Sequence, residues 1–251
     1  MNKLYKYRNF DDIYLENIIK NSSLYFSPVE YFNDPFDCKL SFRQNYSKQE
    51  IKQCLIGVKK RNPHQPHRLK DMMKKFGKNQ DFVELQNNTT KEMVASVGVL
   101  SLSKNYDNIL MWSHYAQSHK GLVFEFTPRN TNDETSCFHH PIKVDYSDSY
   151  DELSYVNDHR DEIPKLLLTK YTDWAYEEEY RCFGLDFQGE KQFHKDELTA
   201  IIFGVNTSKK NIDSMIRLCK DHDYQHVKFR QAILNHGSFS LSFKDISIEV
   251  V

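Results

Sequence analysis

Short runs of alternating apolar and polar residues, or of clustered aromatic and β-branched residues, recur along the chain between turn residues. They predict strands over Leu4–Arg8, Ser23–Ser27, Asp37–Phe42, Val97–Ser103, Gly121–Phe126, Ile142–Tyr146, Glu178–Phe183, Ala200–Phe203, Val227–Arg230 and Ile246–Val250. Helical spacing predicts helices over Asp11–Lys20, Asn108–Gln117, Glu162–Lys170 and Ser208–Asp221, with Asp11 and Ser208 as N-caps. Strands and helices do not alternate strictly, and no Gly-rich phosphate loop follows a strand. The pattern therefore argues against a doubly wound nucleotide fold and for an α+β domain with a mainly antiparallel or mixed β core. A basic helical insertion over 47–95 is expected within one domain spanning 1–251.

Composition narrows the class. The chain has 251 residues, a net charge of −1, 15 Tyr, 17 Phe and 2 Trp, and few Gly or Pro. Disordered and low-complexity chains lack such aromatic content, because aromatics are what bury surface against chain entropy. A globally basic nucleic-acid or membrane protein is excluded, and no apolar run has the length of a bilayer span or of a leader core. Five widely spaced cysteines, with no Cys-x-x-Cys pair, read as reduced thiols of a cytoplasmic protein.

Charge is locally uneven. Residues 48–78 hold ten Lys or Arg against Glu50 and Asp71, and read as two amphipathic helices joined by a Pro-containing turn. A solvated face explains them, as does a surface for nucleic acid or another acidic partner. Residues 145–162 are acidic.

Three stretches have candidate chemistry. In Leu24–Asp37, Asn33-Asp34-Pro35 forms a turn, with Tyr25, Tyr31 and Phe36 as pocket walls or as hairpin packing. In Val99–Ala116, Ser101 and Ser103 share a strand face, while Trp112, Tyr115 and His119 line a helical stripe suited to a core or a site. In Trp174–Phe183, a strand would point Glu177, Glu179 and Arg181 one way, either as an ion pair or as a carboxylate poised in a cleft. Metal spacing is weak: His64-x-x-His67 lacks a third ligand, and Cys219, His222 and His226 straddle a helix end. No metal is expected. A metal-dependent nuclease built on Asp34, Asp37 and the Glu cluster remains an alternative.

The stretches Leu4–Arg8, Leu24–Asp37, Met111–Ala116 with Lys120–Phe126, and Trp174–Arg181 together resemble a bacterial family catalogued as domain of unknown function 2971. They span residues 4 to about 205. Asp37 stands where that family usually has Glu, and Tyr180 where Trp is common. More distantly, Arg8, Ser101-Leu-Ser103 and Glu177-Glu-Glu179 follow the order of the arginine–serine–glutamate ADP-ribosyltransferases. That likeness implies their fold and NAD as substrate. In it Arg8 binds the pyrophosphate, Ser103 with Ser101 orients the ligand, and Glu179, with Glu177, is catalytic through the ribose 2′-OH. Tyr7, Trp112 or Tyr115 would stack on the nicotinamide, with Arg181 and Asn33 completing the binding set. An oxocarbenium-like ribose needs such a carboxylate. The expected function is an NAD-dependent ADP-ribosyltransferase or glycohydrolase acting on a nucleic-acid or protein target in bacterial defence or stress. The alternative is a non-catalytic sensor or effector module that binds a ligand.

Overall fold

A computed structural model describes residues 3–38, 43–61, 63–64, 68–149, 152, 154 and 162–247. In chain order the elements begin with β1 (Leu4–Arg8), α1 (Leu15–Lys20), β2 (Ser23–Pro28), α2 (Lys48–Arg61), α3 (Leu69–Phe76) and α4 (Asn79–Ser96). Next come β3 (Gly98–Ser103), α5 (Ile109–Tyr115), β4 (Leu122–Phe126), β5 (Ile142–Lys143), β6 (Asp145–Ser147), α6 (Glu162–Leu168) and β7 (Thr169–Tyr171). The last are β8 (Glu179–Gly184), β9 (Gly189–Gln192), β10 (Leu198–Phe203), α7 (Lys209–Asp221), β11 (Lys228–Leu234) and β12 (Leu241–Asp245). They fall into two compact units. The first comprises residues 1–27, 98–144 and 173–251, and the second residues 28–97 and 145–172.

The first unit is an α+β body around a mostly antiparallel sheet, with strand order β12-β11-β10-β4-β1-β3-β2-β9, β8 branching from β3 and β5 pairing with β8. At its centre β4 reads Leu-Val-Phe-Glu-Phe and is buried on both faces, as a strand covered from both sides must be. One face packs Phe124, Phe126, Leu100 and Leu102 against α1 (Leu15, Ile18, Ile19) and α7 (Ile212, Met215, Cys219). The other packs Tyr5, Tyr7, Val123 and Ile202 against Met111 and Trp112 of α5. Each large apolar side chain so buried contributes about 1.5–3 kcal/mol. The parallel pair β10–β11 is joined through α7, which starts as expected at Ser208, whose hydroxyl accepts from the Asn211 amide at 3.2 Å.

One seam in this sheet matters for the site. β1 pairs with β4 along its whole length but with β3 only at Tyr5↔Ser103. β3 in turn pairs with β8 over six residues, from Gly98↔Gly184 to Ser103↔Glu179.

Several boundaries differ from expectation. The first helix starts at Leu15, not Asp11, because Asp12 spends its carboxylate on the Tyr14 amide, an Asx-type turn that delays the helix. The expected strand Ile142–Tyr146 is two short strands with different partners. β7, β9 and β12 were not anticipated: they are short or polar, and their pairing is non-local. The second halves of the expected strands Asp37–Phe42 and Ile246–Val250 lie outside the described residues, while residues 37–38 form a turn.

The second unit contains α2, α3, α4, α6 and the two-stranded parallel ribbon β6–β7. The expected basic insertion 47–95 lies in it: residues 48–78 contain the two expected helices, α2 and α3, and α4 follows them. Ile51, Cys54 and Leu55 of α2 and Phe82 of α4 are buried. No helix among the described residues is long and apolar enough to cross a membrane.

Candidate functional site

The Trp174–Arg181 stretch does not run as one strand. Residues 172–177 form a 3-10 turn, Glu178 takes a left-handed backbone (φ 45°), and β8 begins only at Glu179. The strict strand alternation expected for three charged residues is thereby broken between Glu177 and Glu179.

Glu179 and Arg181 stay two apart on β8 and form a buried bidentate pair. Arg181 Nε donates to Glu179 Oε1 at 2.8 Å and a terminal nitrogen to Oε2 at 3.0 Å. Arg181 is 0 % exposed and Glu179 4 %. At that depth a guanidinium fork matched to a carboxylate is what keeps both charges tolerable. Across the register, Ser101 faces Arg181, and Tyr5, Ser103 and Glu179 form one row over β1, β3 and β8.

Ser103 is buried, and its hydroxyl lies 2.9 Å from the Asn105 carbonyl and 2.6 Å from the Glu177 carbonyl, pinning the loop after β3 to the turn before β8. Tyr7 donates to the same Asn105 carbonyl at 3.0 Å and meets Trp112 edge-on at 5.4 Å. Trp112 is fully buried, with its indole N–H on the Tyr106 carbonyl at 2.8 Å. Trp112 and Tyr7 are thus core residues with satisfied polar tips, and burial pushes the Tyr7 phenol up.

Glu177, also buried, accepts from the Tyr115 hydroxyl at 2.5 Å. Around that bond lies an aromatic group on the sheet's α5 side. His114 contacts Tyr115, Trp174 and Tyr176 with ring centroids 5.9–6.4 Å apart, and its Nδ1 is 2.8 Å from the Tyr176 hydroxyl. His114 is exposed and the other three rings are half-buried.

On β1, Lys6 and Arg8 are two apart. Lys6 donates to the Ser101 carbonyl at 2.6 Å across the open seam. Burial, then the neighbouring Arg8, holds its ammonium down to about 7, against the opposing pull of Glu179, Asp12 and Glu177. Arg8 Nε is buried without a hydrogen bond, its nearest counter-charge being Asp12 Oδ2 at 3.3 Å, and burial lowers its pKa. Sequence reading takes His114 as a structural histidine rather than a base, and passes over Lys6, Trp174 and Tyr176 as site residues. The period-2 spacing of Lys6 and Arg8 on one strand was the available signal. Asn33 belongs to the second unit, exposed beside Asp34.

Metal chemistry finds no assembled donors: no group of three or more His, Cys, Asp or Glu among the described residues could hold an ion. Cys219 is in the core, His226 Nε2 lies 3.1–3.2 Å from the Lys195 and Leu198 carbonyls, and His67 lies outside the described residues.

With this geometry in place, comparison with known proteins adds one match. Residues 111–182 match the family model described as protein of unknown function (DUF2971). The match includes Met111–Ala116 and Trp174–Arg181, the stretches that build the aromatic group and the Glu179–Arg181 pair, and is narrower than the span from 4 to about 205 read from the sequence. No curated protein and no solved structure matches the chain.

Proposed function

We propose that the first unit binds, without consuming, a small ligand bearing an aromatic ring and a phosphate, of the NAD-type dinucleotide class. The observation that carries this reading is the Arg181–Glu179 pair: both carboxylate oxygens already accept from a guanidinium in a buried setting. A carboxylate that stabilises a developing ribosyl cation must face that cation, so Glu179 here holds Arg181 and the β3–β8 pairing. The half-buried rings of Tyr115, Trp174 and Tyr176 around His114 support stacking on a heterocycle. The incompletely bonded Arg8 guanidinium supports a phosphate contact.

ADP-ribosyl transfer or NAD hydrolysis is the second reading. It is favoured by the row that sets Ser103 beside Glu179 and by the field that Glu177, Glu179 and Arg8 all exert on Lys6. For the second unit, the exposed Lys52, Lys59, Lys60 and Arg61 of α2 and Lys70, Lys74 and Lys75 of α3 support an acidic partner, nucleic acid included.

One experiment separates the readings. The wild-type chain and Glu179→Gln are incubated with NAD and with protein and RNA acceptors, while melting temperature and NAD content are followed. A wild-type thermal shift with NAD intact, and a destabilised Glu179→Gln, supports binding. NAD consumption abolished in a normally folded Glu179→Gln supports transfer. Neither shift nor consumption refutes both.

A further inference from the structure

The second unit contains a cavity that the first unit's chemistry does not use. It measures about 300 Å³ and is lined by Asp34, Phe36, Ser147, Asp148, Lys170 and Tyr171, with Ser149 and Thr169 at its edge. Every lining residue belongs to this unit. The volume suits a ligand of one ring or a small branched group.

Local structure explains how the walls are held. Asp34 Oδ1 accepts from the Phe36 amide at 2.8 Å and the Asp34 carbonyl accepts from the Asp37 amide at 3.1 Å, so the turn after Asn33 throws Phe36 outward. The opposite wall is the β6–β7 ribbon, whose register sets Ser147 beside Tyr171 and Tyr146 beside Lys170. Phe36 is 63 % exposed and Tyr171 48 %, two large rings at a concave site where solvation alone would not place them.

Charge decides the ligand class. Lys170 is only 5 % exposed, and its ammonium is paired with the buried Asp37 carboxylate at 3.6 Å, so the single cation among the described lining residues is already compensated. Asp34 and Asp148 supply two further carboxylates, and Asp148 has no ion-pair partner among the described residues. Aromatic faces and net negative charge both attract cations, and they disfavour carboxylates and phosphates equally. We propose that this cavity is a binding site for a small organic cation, of the amidinium, guanidinium or alkylammonium type. The cation would sit against Phe36 and Tyr171, with Asp148 and Asp34 as its counter-charges.

The test is a charge series on one ring, measured by calorimetry and ligand-observed NMR on the full chain: benzamidine, benzamide and benzoate. Benzamidine is expected to bind about tenfold more tightly than benzamide, the factor that about 1.4 kcal/mol of cation–π and ionic attraction gives, and benzoate not at all. Tyr171→Ala and Phe36→Ala should each weaken benzamidine about fivefold or more. Asp148→Asn should narrow the benzamidine–benzamide difference. All three side chains are exposed, so melting temperature should move little. The proposal fails if benzamide binds as well as benzamidine, if benzoate binds best, if both aromatic variants bind like wild type, or if no binding is seen at about 10 mM, well above the millimolar range such a site implies. NAD binding by the first unit is a separate readout that none of these results predicts.

Discussion

Replacing Arg181 by Met keeps much of the side-chain volume and removes only the charged fork. Arg181 is 0 % exposed and donates twice to Glu179, which is 4 % exposed, so the variant leaves a carboxylate buried with its principal counter-charge gone. Breaking a buried pair in this way costs about 3–5 kcal/mol. For a chain of this size, each kcal/mol moves the melting temperature by about 2–4 °C, so a loss of roughly 6–20 °C is expected. Removing the other charge as well, in Glu179→Gln with Arg181→Met, relieves the stranded carboxylate. The double variant should then be more stable than the Arg181→Met single variant, with a coupling energy of about 1–3 kcal/mol in the cycle. Denaturant unfolding followed by circular dichroism measures all four corners. If Arg181→Met falls within about 1 kcal/mol of wild type, or the two effects simply add, the pair is not the buried anchor argued here.

Three further outcomes are expected. Lys6 is held down to about 7 in the fold but titrates near its ordinary value when unfolded, so between those two pH values the unfolded state holds the extra proton and stability rises with pH. Lys6→Met should flatten that rise, and melting temperatures from pH 6 to 10 for both proteins would show it, with parallel curves counting against it. A Cβ at Gly121 would lie 2.2 Å from the Arg8 carbonyl oxygen and 2.9 Å from the Ala116 carbonyl carbon, both backbone atoms that cannot step aside. Gly121→Ala should therefore cost about 1–3 kcal/mol in denaturant unfolding, and a neutral result would mean that β1 and the α5–β4 turn separate easily. Burial pushes the Cys182 and Cys219 thiols up to about 12, and all five cysteines are buried with no disulfide between them. Intact-mass analysis after brief iodoacetamide treatment should show no alkylation of the native chain and up to five adducts once it is unfolded.

The local pattern alone determined a good deal of this protein. The apolar runs of β1, β3, β4 and β10 and the spacing of α7 are strong enough to be read directly, because each buries a face whose period is fixed by backbone geometry. Ser208 as a cap and the α+β class follow from the same local physics. The tertiary structure decided the rest. Glu177 lies before the strand rather than on it because residues 172–177 wind into a 3-10 turn and Glu178 is left-handed, an arrangement held by Ser103 gripping the Glu177 carbonyl from 74 residues away. Trp112, a stacking candidate in the ADP-ribosyltransferase likeness, is core, with its indole N–H on the Tyr106 carbonyl. Sequence reading does not single out Lys6, and only the single-residue contact between β1 and β3 drew it to the Ser101 carbonyl near Glu179. Sequence spacing governs which neighbours share a face. Burial, charge compensation and reach across strands depend on contacts far apart in the chain, and only the folded chain sets those.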